Sequence, residues 1–410
     1  MNTSEPSQSL TFELIEQARR RIAGQVALTP FEWGSNLSDI TGCKLYFKLE
    51  NLQITGSFKE RGACNRLLMM PIEQRAAGVV AASAGNHAQG VALHATRLGF
   101  RSTIVMPEAT SLMKIARTRR YGAEVVLHGA TYDDAYAHAR ALCEEQGSVF
   151  IHPFDDVGIM AGQGTVGLEM IEQNPYLQTV IVPIGGGGLI SGIAVALKEA
   201  NPRIRVVGVQ TSAYPSMKAA VAAGHPVEVA AGRTIADGIA VRKAGVHTLD
   251  IVQRYVDDIV TVSEEEIASA ILLLLEEEKV VAEGAAAAGL AALVHGYVPD
   301  ARNRKTGLVI CGGNIDTNVI SNVIVRGLVK AGRRVRLQIA LPDQPGALAR
   351  LTRLVAEERA NILEIHHDRQ FNALSLGETE VEMTLETRGE DHIEELTRML
   401  QREGYAFKRQ

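Results

Sequence analysis

Seven short apolar runs, at residues 78–82, 102–106, 123–127, 179–184, 205–210, 259–262 and 307–311, constrain this chain more than any other feature. Each has Gly, Pro, Asn or Asp at its margins, and helical patterns separate them. Continuous apolar runs alternating with helices predict parallel strands covered on both faces. The expectation is an α/β catalytic region of two lobes with a ligand between them. Ligands in such sheets bind beyond the carboxyl ends of the strands, where the turns into helices present backbone N–H groups. Chemistry is therefore sought in the turns.

Four turns stand out. The first, Thr55-Gly56-Ser57-Phe58-Lys59-Glu60-Arg61-Gly62, follows a strand-like 44–49 and leads into a helical 63–70. Ser57 with Glu60 three residues on is a capping-box pattern, predicting Ser57 as N-cap, Phe58 as first helical residue and Lys59 as second. The positive helix pole and nearby Arg61 both disfavour an ammonium there, pushing Lys59 towards the neutral amine that forms imines with carbonyls. Alone, the octapeptide reads as a solvated lysine in a first turn.

The second turn, Ser83-Ala84-Gly85-Asn86-His87-Ala88-Gln89-Gly90, presents amides and the polar side chains of Ser83 and Asn86. It suits a carboxylate, and equally an ordinary capped turn. In the third, Gly185-Gly186-Gly187-Gly188, four glycines remove every Cβ from the approach, so a phosphate can rest on N–H groups before a helix beginning near Ile193. A dinucleotide site is the rival, but the spacing is not that of its motif, and the next strand ends at Gln210 where an acid is expected. The fourth, Cys311-Gly312-Gly313-Asn314-Ile315-Asp316, puts Cys311 just past an apolar run, where most cysteines are inert.

The chain's 410 residues are enough for two or three domains. A net charge of -5 gives no electrostatic case for nucleic acid or an anionic membrane. Cys43, Cys64, Cys143 and Cys311 show neither metal-ligand spacing nor disulfide density, which fits a reducing cytoplasm, and no metal site is expected. Residues 1–30 read as a mobile start without a signal peptide, then an amphipathic helix with Phe12, Ile15 and Ala18 on one face. The most apolar stretch, 282–298, is broken by glycines and suits a buried helix better than a membrane span.

An imine-forming lysine, a phosphate cradle and a carboxylate cradle together call for a cofactor with an aldehyde and a phosphate, as pyridoxal phosphate has. The four turns, in this order over roughly residues 10–325, resemble the signatures of the fold-type II pyridoxal-phosphate enzymes, specifically the serine/threonine dehydratases. The resemblance implies a two-lobed, tryptophan synthase β-like catalytic domain over 1–330, its smaller lobe at roughly 52–155. It also implies roles. Lys59 and Ser83 are the catalytic candidates, Lys59 anchoring the cofactor and taking the α-proton. Phe58 packs on the pyridine ring, Asn86 meets its 3′-oxygen, and Gly185, Gly186, Gly187, Gly188 and Leu189 hold the phosphate. Cys311 faces the pyridine nitrogen. Ser83, Ala84, Gly85, Asn86 and His87 take the substrate carboxylate. The implied reaction converts L-threonine to 2-oxobutanoate and ammonia, and L-serine to pyruvate. His87, His152 and Glu283 have ordinary structural readings and receive no catalytic role.

Past residue 329 the pattern changes. Lys330, Arg333, Arg334 and Arg336 read as a solvated linker, and 335–410 shows a β-α-β-β-α-β order typical of a ferredoxin-like module. Its loop Pro342-Asp343-Gln344-Pro345-Gly346-Ala347-Leu348 resembles the first loop of ACT domains, which implies an amino-acid effector, or oligomerisation alone, in a homodimer or homotetramer. Serine racemase and hydroxyaspartate dehydratase share the four motifs, but by the family pattern racemases carry acidic metal ligands after the strand that here ends at Gln210. Phe154 makes a more apolar pocket wall, favouring threonine's methyl group. A replacement enzyme like cysteine synthase would need a second nucleophilic substrate, and nothing in the sequence identifies one. An amino-acid sensor would need neither Lys59 nor the glycine cradle.

Overall fold

The computed structural model describes residues 9–368 and 377–410. Residues 1–8, where the mobile start is expected, lie outside the described residues. Residues 1–315 and 316–410 form two compact units.

The first unit contains two sheets. One holds the parallel strands Glu124–Leu127, Ser102–Met106, Val79–Ala82 and Val149–Phe150 in that spatial order. The other runs Phe31–Trp33, Lys44–Leu49, Lys305–Ile310, Thr179–Pro183, Arg205–Thr211, Asp258–Val262, parallel except for its first, edge strand. All seven expected strands form, with ends shifted by at most two residues. Val79–Ala82, Ser102–Met106 and Thr179–Pro183 are buried at every position because helices cover both faces.

Glycines set the helices that carry the site. A Cβ on Gly162 of the Val157–Gln173 helix would lie 2.6 Å from the Arg61 carbonyl oxygen of the Lys59–Leu68 helix. One on Gly192 of the Gly188–Ala200 helix would lie 2.5 Å from the Gly164 amide nitrogen. Gly192→Ala is accordingly expected to destabilise the protein by about 1–3 kcal/mol, seen as a lower urea midpoint at unchanged slope. The Phe12–Ile22 helix buries Ile15 and Ala18 against Met160, Ala161 and Leu168. The 282–298 stretch yields the buried Gly284–Val294 helix, and no described helix is long and apolar enough to cross a membrane.

A buried ion cluster ties the Lys44–Leu49 strand and the turn at Glu50 to the Lys59–Leu68 and Val157–Gln173 helices. Arg61 forks onto Glu50 at 2.7 and 2.8 Å and onto Glu169 at 2.6 and 2.8 Å. Lys48 adds a 2.6 Å bond to Glu169, and Thr29 donates to Glu50 at 2.6 Å.

In the second unit the Thr317–Lys330 helix precedes an antiparallel sheet ordered Asn361–Asp368, Glu378–Glu386, Arg334–Pro342, Phe407–Arg409. The helices Ala347–Glu357 and Glu390–Arg402 complete the β-α-β-β-α-β order, their Leu351, Val355, Ile393, Leu396 and Leu400 sharing a core with Leu337, Ile339 and Met383. Arg334 and Arg336 belong to the first strand of this sheet rather than to a linker, and Arg336 pairs with Glu382 at 3.4 Å.

Candidate active site

Strand-end turns meet in the first unit. Ser57 bridges Gly312, the Phe58 N–H donates to the Cys311 carbonyl at 3.0 Å, and the Gly313 N–H donates to the Gly56 carbonyl at 2.9 Å. This backbone pairing replaces the expected capping box. The helix begins at Lys59, with Phe58 at the N-cap and no side-chain cap. Ser57 Oγ is buried without a hydrogen-bond partner, while Glu60 accepts instead from the N–H and hydroxyl of Thr55 at 2.8 and 3.0 Å.

Lys59 Nζ donates to the Pro153 carbonyl at 2.6 Å and lies 5.2 Å from the centroid of the Phe58 ring. Burial pulls its pKa from 10.5 down to about 8, and the neighbouring Cys311 and Glu283 reverse this only in part. Burial is the leading cause, where the sequence pointed to the helix pole and to Arg61, whose guanidinium is engaged by Glu50 and Glu169. The result is an amine that is partly neutral at physiological pH.

After Val79–Ala82, Ser83 Oγ accepts from the Gly85 N–H at 3.1 Å within the turn, and Ser83, Ala84, Gly85 and Asn86 are half-buried. A Cβ on Gly85 would meet nothing within 4 Å, so this turn opens onto space that no protein atom fills. Gly85→Ala is expected to cost the fold no more than about 1 kcal/mol. The same change should raise KM by about tenfold or more, because the methyl enters the space where a substrate would lie. Melting curves and initial rates separate the two effects. His87 Nε2–H donates to the Ile151 carbonyl at 2.9 Å, and burial lowers its pKa to about 3, leaving a neutral ring with Nδ1 unpartnered.

The Gly188–Ala200 helix starts at the last of the four glycines, ahead of the Ile193 start expected, with Gly187 left-handed at φ 99° as its N-cap. Gly186, Gly187 and Gly188 are buried, and among the described residues their amides donate to no protein acceptor. Gly185 is half-buried before them, and Leu189 is buried in the helix's first turn. Packing also demands glycine here. A Cβ on Gly186 would lie 2.5 Å from the Phe154 ring, and one on Gly187 would lie 2.6 Å from Met217 Cε. Unpaired amides at a buried, positive helix end form a seat for a phosphate. His152 Nδ1 accepts from the Phe154 and Asp155 N–H groups at 3.2 and 2.7 Å, shaping the turn that joins Lys59's carbonyl partner to Gly186; burial lowers its pKa to about 4.

Cys311 follows Lys305–Ile310, and burial, reinforced by Glu283, raises its thiol well above 9. Sequence reasoning passed over Glu283 as a first-turn helix acid. Its buried carboxylate accepts from Asn86 Nδ2 at 2.8 and 3.0 Å, and Asn86 Oδ1 accepts from Asn314 Nδ2 at 2.8 Å. Burial lifts Glu283 to about 7, with the Asn86 bond partly opposing. The signal was an acid inside the most apolar stretch of the chain. A partly neutral amine, a phosphate seat and a neutral thiol fit a cofactor that carries an aldehyde and a phosphate.

The sequence profile of the family described as pyridoxal-phosphate dependent enzyme matches residues 22–312. Over 399 residues the chain is 49% identical to the L-threonine ammonia-lyase of Thermotoga maritima, covering 97% of this chain and 99% of that one. Maize serine racemase is similar in structure, with a TM-score of 0.74 and 34% identity over 79% of this chain and 99% of that one. The processed form of threonine deaminase isoform 2 from Solanum lycopersicum also has a TM-score of 0.74 and 34% identity, over 79% of this chain and 93% of that one.

Proposed function

The chain belongs to the pyridoxal-phosphate-dependent enzyme family, and from that premise we propose that it dehydrates and deaminates L-threonine to 2-oxobutanoate and ammonia. The observation that carries this reading is the 49% identity to an L-threonine ammonia-lyase over 97% of the chain.

When bound, pyridoxal phosphate supplies an electron sink that makes the substrate's Cα–H acidic. The chain's own residues do the rest. Lys59 Nζ would hold the cofactor's aldehyde carbon and is the amine placed to take the proton from the substrate's Cα. Its depressed pKa supports both roles. The amides of Gly185, Gly186, Gly187, Gly188 and Leu189 seat the phosphate. Ser83 and the turn from Ala84 to His87 orient the substrate carboxylate, and Phe58 and Asn86 would hold the cofactor's ring and its 3′-oxygen. Cys311 would face the ring nitrogen. A thiol held this far above its usual range gives up no proton there. Phe154, packed over Gly186, supplies an apolar wall for threonine's methyl group.

Likeness to maize serine racemase makes L-serine the discriminating substrate. A lyase yields pyruvate and ammonia, whereas a racemase yields D-serine. Pyruvate without D-serine is expected, and D-serine as the main product would overturn the lyase reading. Gln210, near the end of the strand after which the racemase pattern has acids, is buried, donating to the Tyr214 carbonyl at 3.2 Å and accepting from the Lys218 N–H at 2.9 Å.

The ACT-like module at 335–410 is read as an amino-acid effector site and a contact between subunits of a homodimer or homotetramer. Four free, buried cysteines fit a reducing cytoplasm. In a panel of L-amino acids tested by melting and by threonine turnover, at least one non-substrate is expected to shift both Tm and half-saturation. A panel without such a shift would assign the module to assembly alone.

A further inference from the structure

The reaction described above gives no role to the buried carboxylate of Glu283, which touches a residue assigned to the cofactor. Asn86 Nδ2 donates to both Glu283 oxygens at 2.8 and 3.0 Å, while Asn86 Oδ1 receives Asn314 Nδ2 at 2.8 Å. Asn314 is itself anchored to the Thr55 carbonyl at 2.7 Å. A flipped Asn86 amide would set oxygen against carboxylate and NH2 against NH2, so the network permits one orientation. Backbone closes in on the carboxylate as well. A Cβ on Gly312 would lie 2.5 Å from Glu283 Oε1, and one on Gly238 would lie 3.3 Å away.

We propose that Glu283 is a positioning residue that fixes the Asn86 amide, leaving the second Nδ2 hydrogen free to meet the cofactor's ring oxygen. This rests on the assignment of Asn86 to that oxygen. The ionised carboxylate accepts on both oxygens, and protonation turns one of them into a donor, which weakens the hold on Asn86. Lys59, Cys311 and the Lys114–Asp237 ion pair are the charged and titratable groups that face it. With a pKa near 7, the change falls in the neutral range.

Equilibrium dialysis of apoenzyme against pyridoxal phosphate measures the hold directly, apart from turnover. Glu283→Ala is expected to raise Kd about tenfold by leaving the Asn86 amide unpaired. The double variant with Asn86→Ala should bind no more weakly than Asn86→Ala alone. Glu283→Gln, which like the protonated acid offers one acceptor and one donor, should bind at pH 7.5 about as weakly as wild type does at pH 6 and lack the further weakening that wild type shows between those two pH values. This second variant decides the matter even if the alanine variant fails to fold. Wild-type affinity in Glu283→Ala, additive effects of the two alanines, or an unchanged pH slope in Glu283→Gln would each overturn the proposal. If Asn86→Ala weakens binding and Glu283→Ala does not, only the Glu283 role falls. If Asn86→Ala binds as wild type, the Asn86 assignment falls and this proposal with it.

Discussion

Lys59→Ala is expected to lower L-threonine turnover by about 10⁴-fold or more while leaving the protein folded. The fold tolerates the change because the side chain's polar contact is a single bond to the Pro153 carbonyl, in surroundings that disfavour its charge. Its pKa is about 8 in the fold against 10.5 in the unfolded chain, so the unfolded chain binds more protons between those values. Stability from this residue therefore rises with pH from about 8 to 10.5, and below 8 the fold bears the whole cost of the buried ammonium. The alanine variant should gain most over wild type below pH 8 and lose that margin as pH climbs. Turnover of threonine and urea melts across this range check both halves. Residual activity within tenfold of wild type would remove Lys59 from the chemistry.

Arg61→Met should be the most damaging single change to stability, at about 3–5 kcal/mol, because it strips the guanidinium from two buried carboxylates while leaving them in place. Glu50 and Glu169 then have only Lys48 for compensation. Burial pushes the Glu50 carboxyl up, and the charge and hydrogen bonds of Arg61 more than reverse that, holding it below the ordinary range. A depressed carboxyl contributes stability that is present above its unfolded pKa of roughly 4.5 and lost as pH falls through its folded value. In the methionine variant Glu50 titrates upward instead, so destabilisation on acidification begins at higher pH. Because Arg61 shares a helix with Lys59, kcat should fall as well. Wild-type urea midpoints from pH 4 to 7 would refute the cluster's role.

The parallel strands were legible because each is a continuous apolar run ended by a turn former. Val149–Phe150 and Phe31–Trp33 were not, being two and three residues long and held by pairing with distant neighbours. The turns of the candidate site were readable as motifs, since glycine runs and polar turn residues carry local meaning. Contacts made by the folded chain were not. Ser57 looked like a cap until its backbone paired with Gly312. Arg61 looked like a charge beside Lys59 because Glu169, 108 residues away, cannot be read as its partner from sequence. Glu283 is functional in appearance only once Asn86, 197 residues away in the chain, is seen donating to it.

The most direct measurement is the release of 2-oxobutanoate and ammonia from L-threonine by the purified, cofactor-loaded protein, both assayed in the same sample. Equimolar products that depend on added pyridoxal phosphate are expected. A yellow protein with bound cofactor that leaves threonine unchanged would contradict the dehydratase assignment.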